Sequence, residues 1–225
     1  MRRTLVVMAK APIPGEVKTR LCPPLGGRQC AQLHECFVLD ALEKAAAVPD
    51  AELVISYAPA GTLSFFREAA PDARGYLLQK GKDLGKRLWH CLERVCEPGT
   101  AVVVMGADSP TLPVRCLELA FDALASGRVD VVFGPAGDGG YYLIGMTFPY
   151  PELFEGVNWS TPEVLEKSIE RTAELGLDWY LLPEWYDVDT PADLARLKVE
   201  LLNLPAPNRI ARHTREFLAQ LSELR

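Results

Sequence analysis

Seven short apolar runs, most of them separated by amphipathic helical patterns, restrict this chain to a layered α/β fold. The runs are TLVVMA (4–9), ELVISYA (52–58), GYLLQ (75–79), AVVVMGAD (101–108), VDVVFGPA (129–136), YYLIGM (141–146) and WYLLPE (179–184). The central ones are nearly unbroken in Val, Leu and Ile, as strands buried on both faces must be. Between them, residues 29–47 place Leu33, Phe37, Ala41 and Leu42 on one helical face. Further helices are expected over 84–96, 113–125, 161–175 and 191–202. Alternation of this kind implies layers around a largely parallel sheet. Only GDGG parts the fifth run from the sixth, too short for a helical crossover. Those two strands should form a hairpin, which makes the sheet mixed.

A length of 225 residues suits one such domain. PAPN (205–208) reads as a linker. After it, Ile210, Phe217, Leu221 and Leu224 recur at helical spacing, either as a last helix docked on the domain or as a helix that pairs two copies. The formal net charge of −6 argues against a nucleic-acid partner. No apolar run approaches the roughly 20 residues of a membrane span. The basic tip MRR leads into only about five apolar residues, short of a signal peptide's apolar core, so a cytoplasmic location is expected. The six cysteines form no CxxC pair and read as reduced, mostly buried thiols. His34, His90 and His213 show no ligand spacing and are expected at surface or internally satisfied positions.

In open α/β sheets ligands bind beyond the carboxyl ends of the strands, so the polar residues there carry the functional reading. After the first strand comes KAPIPGEVKTRL (10–21). Pro12 and Pro14 stiffen this loop, Gly15 permits a turn, and Lys10, Lys18 and Arg20 can converge on phosphate oxygens. It is neither a Walker A nor a GxGxxG sequence. After the third strand, QKGKDLGKRL (79–88) sets Gly81 and Gly85 around Asp83. The glycines suit close approach to a base or ribose, and Asp83 suits a helix N-cap. After the fourth, Asp108 sits where a carboxylate can hold a divalent cation against phosphates. After the fifth, four glycines surround Asp138, either as a tight hairpin or as an opening for a ligand. Asp187 and Asp189 alternate on an extended stretch and repel each other unless a cation or solvent screens them. Thr190, Pro191 and Asp193 are explained by helix initiation. Ser160 and Glu163 match a capping box, and Trp159 either stacks on an acceptor or packs. Cations from one loop with carboxylates from two others suit a di- or triphosphate.

These motifs, AKAPIPGEVKTRL, QKGKDLGKRL, GADSP, GPAGDGGYYLIG, the Trp-Ser-Thr helix start and DVDTPADL, occur in that order. From residue 4 to about 200 the ensemble resembles the family labelled glycosyltransferase A or DUF2064, within the nucleotide-diphospho-sugar transferase superfamily. The resemblance implies a three-layer α/β/α sandwich of GT-A, Rossmann-like type, with residues 1–204 as the nucleotide-binding transferase domain and 205–225 as a helix packed on it. It implies a divalent metal, Mg²⁺ or Mn²⁺, at Asp108 and Asp189. KTRL also resembles the K-S-R-L of phospholactate guanylyltransferases, which assigns Lys10, Lys18 and Arg20 to phosphates.

Glycosyltransferases of this type usually carry D-x-D at the metal strand, whereas this chain has Gly106-Ala107-Asp108. One Asp there with a second acid later is the nucleotidyltransferase pattern. The resulting expectation is a Mg²⁺-dependent transferase with a lean to nucleotidyl transfer. Asp108, Asp189 and Asp187 hold the metal, and Lys18 and Arg20 neutralise the leaving phosphates. Lys10, Ala11, Pro12, Gly15, Gln79, Gly81 and Gly85 border the nucleotide. Asp138, Gly139, Gly140 and Trp159 face a small-molecule acceptor, with Asp138 as the candidate base. Glycosyl transfer from a sugar nucleotide and a non-catalytic nucleotide-sensing module are the alternatives.

Overall fold

In the computed structural model, which describes residues 1–205 and 208–223, seven strands form one sheet. They are β1 (Arg2–Lys10), β2 (Ala51–Ala58), β3 (Gly75–Leu78), β4 (Thr100–Gly106), β5 (Val131–Pro135), β6 (Tyr141–Met146) and β7 (Trp179–Leu181). The spatial order is β3-β2-β1-β4-β6-β5-β7. β1, β2, β3 and β4 run parallel, as do β5 and β7. β6 is antiparallel to both its neighbours, so the short GDGG connection does close a hairpin.

The helices are α1 (Gly27–Ala46), α2 (Leu63–Ala69), α3 (Leu84–Val95), α4 (Val114–Ala125), α5 (Val164–Glu174), α6 (Pro191–Asn203) and α7 (Arg212–Glu223). Alternate residues of the central strands feed two cores, which is why these strands read as unbroken apolar runs. Leu5, Val7 and Ala9 of β1 join Val103 and Met105 of β4 under α1, α2 and α4. Val6, Val102 and Val104 face the opposite layer of α3 and α5. A third core, with Phe37, Leu33, Leu194 and Leu197, joins the outer face of α1 to α6 and α7. Among the described residues no helix is long and apolar enough to cross a membrane.

One local expectation fails, and one helix appears that was not expected, each for a physical reason. The 160–163 capping box does not form, because Ser160 takes a left-handed φ of 69° and the helix starts only at Val164. α2, a seven-residue helix, was too short to give a helical period.

α7 packs along α1 and begins over a buried carboxylate. Asp40 accepts from the backbone N–H groups of His213 (2.9 Å) and Thr214 (3.0 Å) and from the Thr214 hydroxyl (2.5 Å). Leu224, part of the sequence pattern for this helix, lies outside the described residues, as do two residues of PAPN.

Candidate functional site

The carboxyl ends of β1 and β4 border a cleft of about 620 Å³. Because β6 runs opposite to β4, its first residues, Tyr141 and Tyr142, lie at the same edge and line the cleft as well.

Three chain segments meet at the base of this cleft. The loop after β1 brings Lys18, the end of β4 leads to Asp108, and the segment before α6 carries Asp187 and Asp189. Val188 N–H donates to Asp108 O at 2.9 Å, and Ser109 Oγ donates to Asp187 Oδ1 at 2.5 Å. Lys18 Nζ donates to Val188 O at 2.9 Å and to Asp189 Oδ1 at 2.8 Å, and pairs with Asp108 Oδ1 at 2.5 Å. Its side chain is 4% exposed, against 41% for Asp108 and 44% for Asp189. Since Asp108 Oδ1 is itself buried, the exposed part of that carboxylate is its other oxygen.

The charges follow from this packing. Burial alone would lower the Lys18 pKa, but Asp108 and Asp189 outweigh it and hold the ammonium above its ordinary value. Burial would raise the Asp108 carboxyl, yet Lys18 beside it brings it below the ordinary carboxylate value. Asp187 goes the other way. Burial, then the charge of Asp108, raises it to about 6 against the opposing hydrogen bond from Ser109.

A native pKa above the unfolded 3.8 means that the folded state gains protons between the two values. Stability from this group is therefore complete below pH 3.8 and is lost as pH rises through about 6. Asp187→Asn, which keeps an acceptor for Ser109, should melt above the natural protein at pH 8. The gap should close on acidification towards pH 4, and about 3 kcal/mol is its upper bound. Melting temperature against pH for both proteins is the measurement.

The structure divides the other sequence-expected residues. Lys10, Arg20 and Gln79 line the cleft with the three acids. Among the described residues, neither the Lys10 ammonium nor the Arg20 guanidinium has a hydrogen-bonded or ion-paired side-chain partner. Gln79 spends its amide hydrogens on Ser56 O (2.8 Å) and Ala9 O (3.3 Å), which leaves only its carbonyl for a ligand. Ala11, Pro12 and Gly15 shape the first loop without lining the cleft. Lys18 departs most from expectation, because its Nζ turns onto the acids instead of the open cleft.

The glycines serve the fold. A Cβ on Gly81 would sit 2.7 Å from the Lys86 Cβ, and one on Gly85 would sit 2.2 Å from the Trp159 ring. A Cβ on Gly139 (φ 87°) would meet Pro162 O at 2.0 Å. Asp83 caps α3 by accepting from Lys86 N–H at 2.8 Å. Asp138 Oδ1 accepts from Gly140 N–H at 2.9 Å, closing a turn. Asp138, Gly139, Gly140 and Trp159 all lie outside the cleft lining. Trp159 packs at 6.3 Å from the Phe154 ring, nearly parallel to it, and edge-on to Tyr141.

Lys82, Arg87 and His34 were not singled out as site residues, yet all three line the cleft. His34 is buried on α1. Its Nε2 donates to Lys10 O at 3.0 Å, and its unpartnered Nδ1 lies 3.8 Å from Asp108 Oδ1. Burial lowers its pKa against the pull of Asp108. The signal was present: residue 34 keeps helical step with Cys30, Phe37 and Ala41 on the buried face.

A separate group, Asp40, Glu43 and His213, brings ligand-capable atoms within 4.8 Å of one another. There Asp40 is already engaged in starting α7.

With this geometry in view, residues 41–161 match the family described as "Uncharacterized protein conserved in bacteria (DUF2064)". No curated protein matches the chain. A crystal structure from Desulfovibrio desulfuricans G20, provisionally assigned as a nucleotide-diphospho-sugar transferase, is 33% identical. It has a TM-score of 0.88 over 99% of this chain and 96% of that one. The fold also resembles a 4-diphosphocytidyl-2C-methyl-D-erythritol synthase, at 10% identity and TM-score 0.59 over 89% of this chain and 98% of that one. A Mycobacterium tuberculosis H37Rv protein solved with manganese aligns at 17% identity and TM-score 0.50, over 88% of this chain and 97% of that one.

Proposed function

The chain belongs to the bacterial family DUF2064 and has the fold of the nucleotide-diphospho-sugar transferases, and from that premise we propose a metal-dependent transferase acting on an activated nucleotide. The carrying observation is that Asp108 and Asp189 meet on one ammonium at the base of a cleft whose rim holds Lys10 and Arg20. The donor set suits a hard divalent cation, since each carboxylate is partly open to the cleft and offers oxygen. Asp108 and Asp189 would hold Mg²⁺ or Mn²⁺. Asp187, tied to Ser109, stands behind them. When bound, the ion supplies Lewis-acid charge neutralisation.

The chain's own residues do the rest. Arg20 and Lys10 take phosphate oxygens, Arg20 in bidentate fashion. The Gln79 carbonyl accepts from the nucleotide. Rigid placement of these charges stabilises the negative charge that gathers on the leaving group. In nucleotidyl transfer the acceptor oxygen bonds to the α-phosphorus and the bond to the bridging oxygen breaks, releasing pyrophosphate. Gly106 stands where the glycosyltransferase pattern has an acid, which favours this reaction. Glycosyl transfer, releasing a nucleoside diphosphate, is favoured by the provisional assignment of the 33%-identical structure.

A thermal-shift panel of nucleoside triphosphates and sugar nucleotides, with and without Mg²⁺, tests the reading, followed by product analysis. Stabilisation that needs both nucleotide and Mg²⁺ is expected, with pyrophosphate as the product. A panel with no response to either class rejects it. Arg20→Ala should weaken binding of the responding nucleotide about ten- to a hundredfold, the loss of one or two hydrogen bonds to a charged group. Its melting temperature should stay unchanged, because Arg20 is exposed and has no side-chain partner among the described residues.

A further inference from the structure

We propose that Lys18 is a positioning residue: it ties the inner oxygens of Asp108 and Asp189 together, so that their outer oxygens form one bracket for the divalent cation of a metal–polyphosphate. This rests on the function proposed above and changes the part that Lys18 plays in it.

An ammonium has three donors. Here two go to Val188 O and Asp189 Oδ1, and the ammonium is also ion-paired with Asp108 Oδ1, so it faces the acids and not the open cleft. The group is enclosed, 4% exposed, with Nζ 5.3 Å from the centre of the Phe37 ring. Lys18 itself sits in the left-handed region, φ 49°, so the basic loop doubles back and sends this side chain under the acids. Lys10 and Arg20 stay on the rim.

Two carboxylates that share one partner repel each other. The Lys18 ammonium lies between them, paired with both, and offsets that repulsion. The three groups together carry one net negative charge, which still attracts a divalent cation. Strand placement does not depend on the lysine, since Val188 N–H bonds Asp108 O directly. Removing Lys18 should therefore disturb the pairing of the side chains while the three segments stay together.

The test is Mn²⁺ binding without nucleotide, read from the free-ion electron paramagnetic resonance signal. Lys18→Met should bind Mn²⁺ at least tenfold more weakly than the natural protein. A lysine that merely competes with the metal would give the opposite result, so unchanged or tighter binding overturns the proposal. Lys18→Gln repeats the measurement if the methionine variant does not melt cooperatively.

Amine labelling of the natural protein gives a readout that needs no variant. Lys18 should stay unlabelled with Mn²⁺ alone and with Mg²⁺–tripolyphosphate, while Lys10 labels freely and is protected by the second. Labelling of Lys18 on addition of Mn²⁺ also overturns the proposal. The nucleotide panel separates the two levels. A natural protein stabilised by Mg²⁺–nucleotide beside a variant with undiminished Mn²⁺ affinity rejects the role of Lys18 alone. Weakened Mn²⁺ binding with no nucleotide response upholds that role and rejects the nucleotide.

Discussion

Asp108→Ala should lower turnover at least about a hundredfold while the protein remains folded. The carboxylate is asked to supply charge where the transition state needs it, and losing one such preorganised group typically costs about 3–4 kcal/mol. Lys18 keeps Asp189 and Val188 O as partners in the variant, so no bare ammonium is left inside. The main-chain bond from Val188 N–H to Asp108 O does not need the side chain. Breaking a fully buried pair would cost about 3–5 kcal/mol, and the 41% exposure of Asp108 places its cost well under that. Steady-state rates, with circular dichroism and melting curves beside them, measure both halves. A variant with near-normal turnover and intact metal dependence would remove Asp108 from the mechanism.

Phe37→Ala should lower stability by about 3–5 kcal/mol. Phe37 is fully buried where α1 meets α6 and α7, with Leu21 of the first loop in the same core. Its ring also underlies the Lys18 ammonium. A fall of about 10 °C in melting temperature is expected for a chain of this size. Water entering the space left would also reach Lys18, so Mn²⁺ affinity should drop together with stability. A surface control such as Leu202→Ala, at an 84%-exposed position, should change neither. Differential scanning calorimetry with the Mn²⁺ titration decides it. Loss of stability with unchanged Mn²⁺ binding would uncouple the core from the acids.

The fold was legible because strands covered on both faces leave unbroken apolar runs and because GDGG is too short to cross a sheet. That the basic loop and the acids share an edge was legible from one rule, that residues after parallel strands lie together, whereas the particular pairing of Asp108 with Asp189 is what the family resemblance implies. The destination of Lys18 was not. A single left-handed residue redirects its side chain, and nothing in KTRL marks that turn. The packing role of the glycines was not legible for a related reason. Gly85 makes room for Trp159 and Gly139 for Pro162, neighbours that only tertiary packing brings close, while the same composition would serve a ligand equally well. His34 was readable from helical step as a buried residue, but its place beside Asp108 depends on how α1 lies against the end of β1.

Asp108 and Asp189 are supplied from opposite sides of β5, β6 and β7 in the order of synthesis. A nascent chain that has released its first four strands already carries Lys18 and Asp108, while β6, which also lines the cleft, has yet to follow. The other carboxylate emerges from the ribosome only after the last strand has. Domains complete themselves as units during translation, and here the meeting of the two acids comes late in that process, with only α6 and α7 still to follow. Fragments that end before Asp187 would lack two of the three acids that meet at the base of the cleft.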